Sequence, residues 1–390
     1  MYRFLDAMHD KDRMPTLKRW LPYAAELGQD DQLYQRHPDY LYPPFFLVLL
    51  KPLTFMPPWL AAAVWQLCKY AAVVAIFAIS WRLLARAGPL PIWCKVASVV
   101  VSVRFVDSDL SHGNVNLFIC LGIVLAAWFL ASGRPLAAGF LIALVAAVKI
   151  TPALWAAYLL YKRQWRALAG VALGLILALE LVPLTVLPPR LNHRMLTSWY
   201  QNVIGAYVAE GKIYSPDMNQ SLAAVTNRLL GRTDWAPGEQ RTALVNLNDA
   251  TIKWIQRIVA AVLIGVLGWS CRGGLPRSDP MAFAVEWSLI APITLALSGY
   301  AWIGHFCVLI LAQVTLLAHL AGDRPWGASR SVFLLTIVSF CLLMITTDII
   351  TPAGRQWANR MGLLLLGALL TAAALVVLRE RCRRLMREKC

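Results

Sequence analysis

Charged residues are scarce in this chain. Asp, Glu, Lys and Arg make up 15% of its 390 residues, whereas soluble domains carry about 25%. Hydrophobic residues make up 59%, Trp alone occurs 16 times, and the mean hydropathy is +0.57. This composition excludes an ordinary soluble domain and indicates an integral membrane protein.

Acidic residues are the scarcer charge type, at 21 against 37 Lys and Arg, which gives a formal charge of +16. Such an excess could suggest a nucleic-acid partner. The cations, however, punctuate apolar segments and form no stripe, which is the pattern that the positive-inside rule produces. We therefore expect membrane lipids, and no nucleic acid, among the partners.

Cysteines with the spacing of a metal site or a disulfide framework are also missing. Six of the eight cysteines lie in or at the ends of apolar segments, and two lie in the basic C-terminal tail. None lies in the polar segment 188–253. The sequence thus predicts no metal site and no disulfide framework, and we expect no cofactor.

The segment from Arg134 to Arg166 decides the topology. It is apolar up to Val148, is interrupted at Lys149–Pro152, and is apolar again to Tyr161. One helix could cross a bilayer with about 20 residues, but both flanks are cationic, and such flanks stay in the cytoplasm. Because proline interrupts a helix, we predict two half-helices that re-enter, with Lys149 at the apex. A polar site would then face away from the cytoplasm.

A second apolar segment, between the proline pairs at 43–44 and 57–58, is too short to span and is predicted to be in-plane or re-entrant. The predicted fold class is therefore all-α: a polytopic integral membrane protein with about nine transmembrane helices plus two re-entrant or in-plane segments. The predicted crossings are 59–84, 91–106, 114–132, 165–187, 254–271, 281–298, 303–320, 331–350 and 356–378.

The distribution of charge divides the chain into five regions. They are an outer-face polar segment 1–40, a membrane domain 41–187 with the re-entrant hairpins, an extracytoplasmic loop 188–253, membrane helices 254–378 and a basic cytoplasmic tail 379–390. Apart from Arg355 and Arg360, the short loops obey the positive-inside rule in this topology. A long outer segment needs a signal or an anchor to cross, so one further helix upstream is an expectation that the residues leave open.

Polar clusters then fall on the outer face of the membrane. They are the N-terminal acids, Asp107–Asn116, Lys149–Pro152, Asp217–Leu222 and Ser298–His305. Each cluster taken alone could be ordinary solvated or interface residues. Lys149 differs, because a lysine near mid-membrane costs about 2.5–3.5 kcal/mol on insertion scales. The alternative is that its ammonium snorkels to the outer surface.

A site without access to the cytoplasm cannot draw on soluble nucleotide-activated donors. A lipid-linked donor suits it, since the tail can lie among helices while the phosphate meets a cation such as Lys149. A carboxylate at the rim could deprotonate an acceptor hydroxyl. The alternative class is a lipid or sugar transporter or flippase. Transporters of that kind usually contain two related halves, and the hairpin at Lys149 has no counterpart after residue 254, so an enzyme is favoured.

Several motifs together resemble one known family. Their order and spacing, from about residue 12 to residue 320, are similar to those of glycosyltransferase family 87. This is the family of polyprenyl-phosphate-mannose-dependent mannosyltransferases of the GT-C membrane fold. The motifs are YLYPP (40–44), GNVN (113–116), VKITPALWAAYLLYKRQWRALAG (148–170), NQSL (219–222), and Trp302 with His305.

The resemblance implies inverting transfer of a hexose, with mannose as the expected sugar, from polyprenyl phosphate to a lipid or glycan acceptor. The reaction would take place on the outer face of the bacterial inner membrane, generally without a metal. The family's catalytic Asp lies in the first outer loop. Asp12 matches that place, with Asp10 in reserve, although RMPTLKRW replaces the family's aromatic run after it. The candidates for binding donor phosphate or substrate are Tyr42, His112, Asn114, Asn116, Lys149, Asn219, Gln220 and His305.

Overall fold

The computed structural model describes residues 14–209, 217–231, 243–322, 330–345 and 351–388. Within these ranges the chain is helical and contains no β-strand, apart from an isolated bridge between Gly231 and Leu247. The prediction of an all-α protein is therefore confirmed.

The described residues form two compact units, and each is considered by itself. Unit 1 lies within Met1–Ile79 and Val106–Lys212, and unit 2 lies within Ser80–Phe105 and Ile213–Cys390. The helices up to the end of unit 1 are α1 (Pro15–Glu26), α2 (Leu33–Arg36), α3 (Pro44–Leu50), α4 (Pro58–Leu84), α5 (Ile92–His112), α6 (Asn116–Ala131), α7 (Pro135–Val148), α8 (Ala153–Tyr161), α9 (Trp165–Ile176) and α10 (Pro189–Trp199). Helices α4 and α5 each contribute residues to both units.

The later helices belong to unit 2. They are α11 (Leu222–Leu230), α12 (Asp249–Ser270), α13 (Pro280–Leu297), α14 (Ile310–Ala321), α15 (Arg330–Ile345), α16 (Pro352–Arg360) and α17 (Leu363–Glu388). Tighter 3₁₀ turns occur at Lys51–Phe55, Pro183–Thr185 and Ile303–Leu309, and wider π-helical turns at Leu177–Leu181 and Tyr200–Ala209.

The segment 134–166 has the predicted interruption. Helix α7 ends at Val148 and α8 begins at Ala153. At about 1.5 Å of rise per residue, their 14 and 9 residues cover about 21 Å and about 14 Å. Neither helix alone can cross a hydrocarbon core of about 30 Å.

Helix α9 runs parallel to α7, with the two backbones in direct contact. Near the starts of both helices, a Cβ added at Gly139 would lie 1.8 Å from the Ala167 oxygen, and one at Gly170 would lie 2.0 Å from the Leu136 oxygen. Further along both helices, a Cβ added at Gly174 would likewise lie too close to the Cβ of Ala143. Small residues of this kind let membrane helices approach closely. The two cationic flanks of the hairpin therefore lie at the same end of unit 1, as a hairpin that re-enters requires.

The second short segment is helix α3 followed by the 3₁₀ turn Lys51–Phe55. It packs against α1, which buries Leu17, Trp20 and Ala24 and leaves Lys18 and Arg19 exposed. The Lys51 ammonium donates hydrogen bonds to the main-chain oxygens of Ala25, at 3.1 Å, and Leu27, at 3.2 Å. It thereby satisfies carbonyls that the end of α1 leaves without helical partners.

Six helical segments of the described ranges are long and apolar enough to cross a membrane. They are Pro58–Leu84, Trp165–Thr185, Asp249–Ser270, Pro280–Leu297, Ile303–Ala321 and Leu363–Leu385. The chain is thus a multi-pass membrane protein, but the predicted count of nine is not confirmed. Two of the other predicted crossings correspond to α6, which is 16 residues long, and to α15, of which 16 residues are described.

Two predicted boundaries are wrong. The crossing placed at 356–378 is interrupted at Gly362, whose φ of +72° ends α16 and lets α17 begin at Leu363. Glycine adopts this left-handed conformation at little cost, so it commonly ends a helix. The end of the crossing placed at 91–106 is also wrong, because α5 continues to His112 and contains Asp107 and Asp109 in its last turns.

Candidate functional site

The turn between α5 and α6 sets up the site in unit 1. Gly113 has a φ of +68°, and a Cβ there would lie 3.1 Å from the Met14 Cβ and 3.2 Å from the Leu17 Cβ. Both the backbone conformation and the close approach of α1 favour glycine. The Trp65 indole N–H donates to the Gly113 oxygen at 3.0 Å. The chain therefore reverses within three residues, and Asn116 begins α6.

Asp109 is fully buried beside this turn. Its Oδ1 accepts hydrogen bonds from the main-chain N–H of Asn116 at 3.2 Å and from Asn116 Nδ2 at 2.9 Å. Its Oδ2 accepts from the main-chain N–H of Leu117 at 3.3 Å. The carboxylate thus satisfies N–H groups that the start of α6 leaves without helical partners, where a negative charge is also favoured.

Lys69, in the interior of α4, neutralises that carboxylate. Its Nζ lies 2.9 Å from Asp109 Oδ2, both side chains are completely buried, and Nζ also donates to the Asp109 main-chain oxygen. Removing two charges from water costs several kcal/mol per ion, so such a pair persists only with good geometry and further hydrogen bonds. Sequence reasoning missed Lys69 as a site residue, although a lysine inside an apolar segment is itself a functional signal.

Lys149 joins this network through Asn116. It follows the last residue of α7 in an extended conformation, and its Nζ donates to Asn116 Oδ1 at 3.0 Å. The structure thus brings two predicted site residues together and links them to the Lys69–Asp109 pair. The ammonium is directed at a buried amide, which argues against the snorkelling alternative.

An apolar pocket of about 140 Å³ adjoins the network. Val115 and Val148 line it, and they are the chain neighbours of Asn116 and Lys149. The remaining lining residues are Phe46, Leu49, Leu50, Trp65, Phe118, Ile119 and Val145. Unit 1 therefore places Lys149 directly after a residue that lines a hydrophobic pocket, and a cation close to apolar side chains suits the phosphate of a lipid.

Tyr42 belongs to the aromatic cluster that leads to this pocket. Its ring meets Trp20 edge-on at 5.1 Å between centroids and lies 5.2 Å from the ring of Phe46, which lines the pocket. Burial raises the pKa of the Tyr42 phenol, and the charge of Asp109 raises it further. The phenol therefore stays protonated and can donate a hydrogen bond.

Two other candidates of the same turn have local contacts. His112 is exposed, and its Nδ1 lies 2.7 Å from the main-chain oxygen of Ser108. Asn114 Oδ1 accepts from the main-chain N–H of Val115 at 2.7 Å. These contacts shape the end of α5 and the turn, and they do not include Lys149 or Asn116.

The remaining candidates lie in unit 2 and hold loops together. Asn219 is buried; its Oδ1 accepts from the main-chain N–H of Ala301 at 3.0 Å, and its Nδ2 donates to the Gly299 oxygen at 3.1 Å. Gln220 Nε2 donates to the Asn359 oxygen at 2.8 Å. His305 is buried, with Nδ1 2.9 Å from the Tyr300 oxygen. A role of these three residues in binding stays a prediction.

Asp12 and Asp10, the candidate bases, lie outside the described residues. Among the residues that are described, no group of three or more His, Cys, Asp or Glu could hold a metal ion. Asp107 and Asp109 are the next acids to consider, but the burial of Asp109 and the four hydrogen-bonding or ionic contacts of its carboxylate leave Asp109 unsuited to meet an acceptor hydroxyl.

Comparison with known proteins adds an independent line of inference. A curated relative from Mycobacterium tuberculosis, a polyprenol-phosphate-mannose-dependent alpha-(1-2)-phosphatidylinositol pentamannoside mannosyltransferase, is 27% identical over 86% of this chain and 74% of its own length. The protein of the same description from Mycolicibacterium smegmatis is 25% identical over 82% of this chain and 71% of its own length. No solved structure is significantly similar.

The model of the family described as glycosyltransferase family 87 matches residues 40–291, which is more than half of the chain. The match includes Tyr42, the GNVN turn, Lys149 and Asn219, and it begins after Asp12. The chain therefore belongs to glycosyltransferase family 87.

Proposed function

We propose that this membrane glycosyltransferase moves mannose from a polyprenyl-phosphate-mannose donor to a hydroxyl of a lipid or glycan acceptor, with inversion at the sugar. The observation that carries the proposal is Lys149, which binds Asn116 and directly follows Val148 of the apolar pocket of unit 1. Both curated relatives depend on polyprenol-phosphate-mannose by name. Neither the family nor these relatives support the alternative of a transporter or flippase.

In this proposal the pocket binds the lipid part of the donor and the lysine binds its phosphate. Part of the isoprenoid chain would lie against Trp65, Phe118 and the other apolar side chains of the pocket. The phosphate would meet Lys149, whose compact ammonium suits it as a point charge. The protonated Tyr42 phenol is a further hydrogen-bond donor in the neighbouring aromatic cluster.

The chemistry is a single displacement. The acceptor oxygen forms a bond to the anomeric carbon, the bond from that carbon to the phosphate oxygen breaks, and its electron pair leaves with polyprenyl phosphate. The acceptor proton goes to Asp12, or to Asp10 if the match is shifted by two residues. Lys149 would stabilise the negative charge that develops on the leaving phosphate. This sequence of steps needs no metal.

The relatives act on phosphatidylinositol pentamannoside by name, so a lipid that carries mannose is the acceptor to test first. The multi-pass fold places the protein in a membrane, and we assign it to the bacterial inner membrane with its site on the outer face. The basis is the positive-inside pattern of the short loops.

The test of the donor site is Lys149→Ala in the purified protein, reconstituted into lipid vesicles. A hydrogen bond to a charged group is worth about 1.5–3 kcal/mol, so we expect the KM for polyprenyl-phosphate-mannose to rise about 10- to 100-fold. Lys149→Arg should keep part of the affinity, since the charge remains but the geometry differs. Lys253→Ala, which removes an exposed lysine of unit 2, is the matched control. An unchanged donor KM in Lys149→Ala would remove Lys149 from the donor site.

A further inference from the structure

The Lys69–Asp109 pair has one structural role, because the Asp109 carboxylate accepts hydrogen bonds from the first N–H groups of α6. That role needs a hydrogen-bond acceptor at residue 109 but does not by itself need a lysine in the interior of α4. The pair is completely buried, and a buried ion pair is seldom more stabilising than apolar residues of similar volume. The presence of both charges therefore calls for a second explanation.

The orientation of the Asn116 amide explains why both charges are present. An ionised carboxylate can only accept hydrogen bonds, so Asp109 Oδ1 binds the Nδ2 end of the amide, at 2.9 Å. The Oδ1 end must then point the other way, where it accepts from Lys149 Nζ at 3.0 Å. If residue 109 were neutral and could also donate, the amide could rotate and present Nδ2 to the ammonium, which accepts nothing.

We propose that Lys69 and Asp109 are positioning residues for Lys149 and act through Asn116. Lys69 pairs directly with the buried carboxylate of Asp109, Asp109 fixes the amide of Asn116, and the amide holds the Lys149 ammonium. The inference rests on the proposed function, in which Lys149 meets the phosphate of the lipid-linked donor.

Unit 2 contains a buried pair that serves as a control. Arg379 Nε donates to Glu286 Oε1 at 2.8 Å, and the two side chains are 3% and 0% exposed. It matches the first pair in burial and in the type of interaction. No described hydrogen bond connects it to Asn116 or Lys149.

The first experiment removes both charges of each pair without leaving a buried ion unpaired. In Lys69→Met with Asp109→Asn, an amide still accepts from the start of α6, but it can also donate to Asn116. We expect the donor KM to rise about tenfold, the lower end of the cost of a lost hydrogen bond to a charged group. The KM for the acceptor should not change. In Arg379→Met with Glu286→Gln, the donor KM should stay within about twofold of wild type, because neutral replacement of a buried pair is generally tolerated.

The second experiment gives a result even if the Lys69→Met, Asp109→Asn variant does not fold. It measures the donor KM of Asn116→Ala, Lys149→Ala and the two changes together. If Asn116 acts only by positioning Lys149, the combined variant is no worse than Lys149→Ala alone, a departure from additivity that a purely structural role would not produce. Effects that multiply would overturn the inference.

The outcomes separate this inference from the function on which it rests. If Lys149→Ala leaves the donor KM unchanged, both the donor site and its positioning network are wrong. If Lys149→Ala raises the donor KM but a folded Lys69→Met, Asp109→Asn variant behaves as wild type, the pair is structural only and the donor site stands.

Discussion

The residues of the GNVN motif have two different roles: some stabilise the turn between α5 and α6, and one belongs to the candidate site. Gly113 allows the turn, because its φ is positive and α1 approaches its Cα. Asn114 stabilises the same turn through Val115. Asn116 differs, since its side chain connects Asp109 to Lys149. Of the two asparagines, Asn116 is thus the one that binds Lys149.

The assignment of the base gives the sharpest prediction for single residues. Asp12→Asn keeps the shape of the side chain and removes its basicity. General-base catalysis typically contributes about 10²–10⁴-fold, so kcat should fall by about that factor while donor binding is retained. The measurement is the transfer rate at saturating donor, together with donor affinity.

Asp10→Asn is the matched control for that prediction, and it should cost much less. If Asp10→Asn is instead the inactive variant, the match to the family shifts by two residues and the mechanism is unchanged. If both variants transfer mannose within tenfold of wild type, the base lies elsewhere, and exposed Asp107 is the next residue to replace.

Residue by residue, the sequence predicts the importance of Lys149 but not its surroundings. Its charge within an apolar segment and the proline after it are local features that can be seen without a fold. The Lys69–Asp109 pair joins residues that are 40 positions apart, and no local pattern shows that they meet. Asn219 is likewise a ligand-binding candidate by sequence, whereas the described hydrogen bonds of its side chain go to the backbone of Gly299, Ala301 and Ser221.

Among the elements, the three helices α7, α8 and α9 determine the topology of unit 1. Because α7 and α9 are parallel and in contact, their first residues lie at one end and Lys149 lies at the other end of α7. The basic residues Arg134 and Arg166 are thereby gathered at the end that the positive-inside rule assigns to the cytoplasm.

Cysteine labelling tests this arrangement. In a variant that lacks the eight native cysteines, single cysteines at exposed Ser132 and at Gln164 should react with an impermeant maleimide only from the cytoplasmic side. A cysteine at Ile150, which is 48% exposed at the break between α7 and α8, should react only from the outer side. Intact and inverted vesicles supply the two sides.

The contrast between the three positions makes the test decisive. Labelling of residues 132 and 164 from opposite sides would show that the segment crosses the membrane, and the shared outer site would then be wrong. Labelling of residue 150 from the cytoplasm would place Lys149 on the wrong side for a lipid-linked donor, whatever the other two positions do.

Sequence patterns predict the long apolar helices and the proline-marked break at residues 149–152, but they miss the break at Gly362. The span 59–84 differs from α4 by one residue at its start, because a long apolar run needs no partner to be recognised. The boundary at Gly362 was missed because a glycine inside an apolar context is compatible with a helix. It ends α16 here through its positive φ, and a Cβ at that position would lie 2.5 Å from Val225.

At the scale of the whole molecule, each of the two units contains a buried ion pair and buried hydrogen bonds among mostly apolar residues. Unit 1 contains the Lys69–Asp109–Asn116–Lys149 network beside an apolar pocket. Unit 2 buries the Glu286–Arg379 pair and ties segment 217–221 to the backbone near residues 301 and 359. We therefore propose that unit 1 contains the donor site of this family 87 glycosyltransferase.

The central claim is that the purified chain uses a lipid-linked mannose donor. The most direct measurement supplies radiolabelled polyprenyl-phosphate-mannose, or in parallel radiolabelled nucleotide-linked mannose, to the protein in vesicles with a mannosylated phosphatidylinositol acceptor. We predict that label enters the acceptor lipid from the polyprenyl-phosphate donor alone, and that Asp12→Asn nearly abolishes this transfer. Transfer from the nucleotide-linked donor, or the absence of transfer from the lipid-linked donor with every mannosylated acceptor tested, would contradict the account.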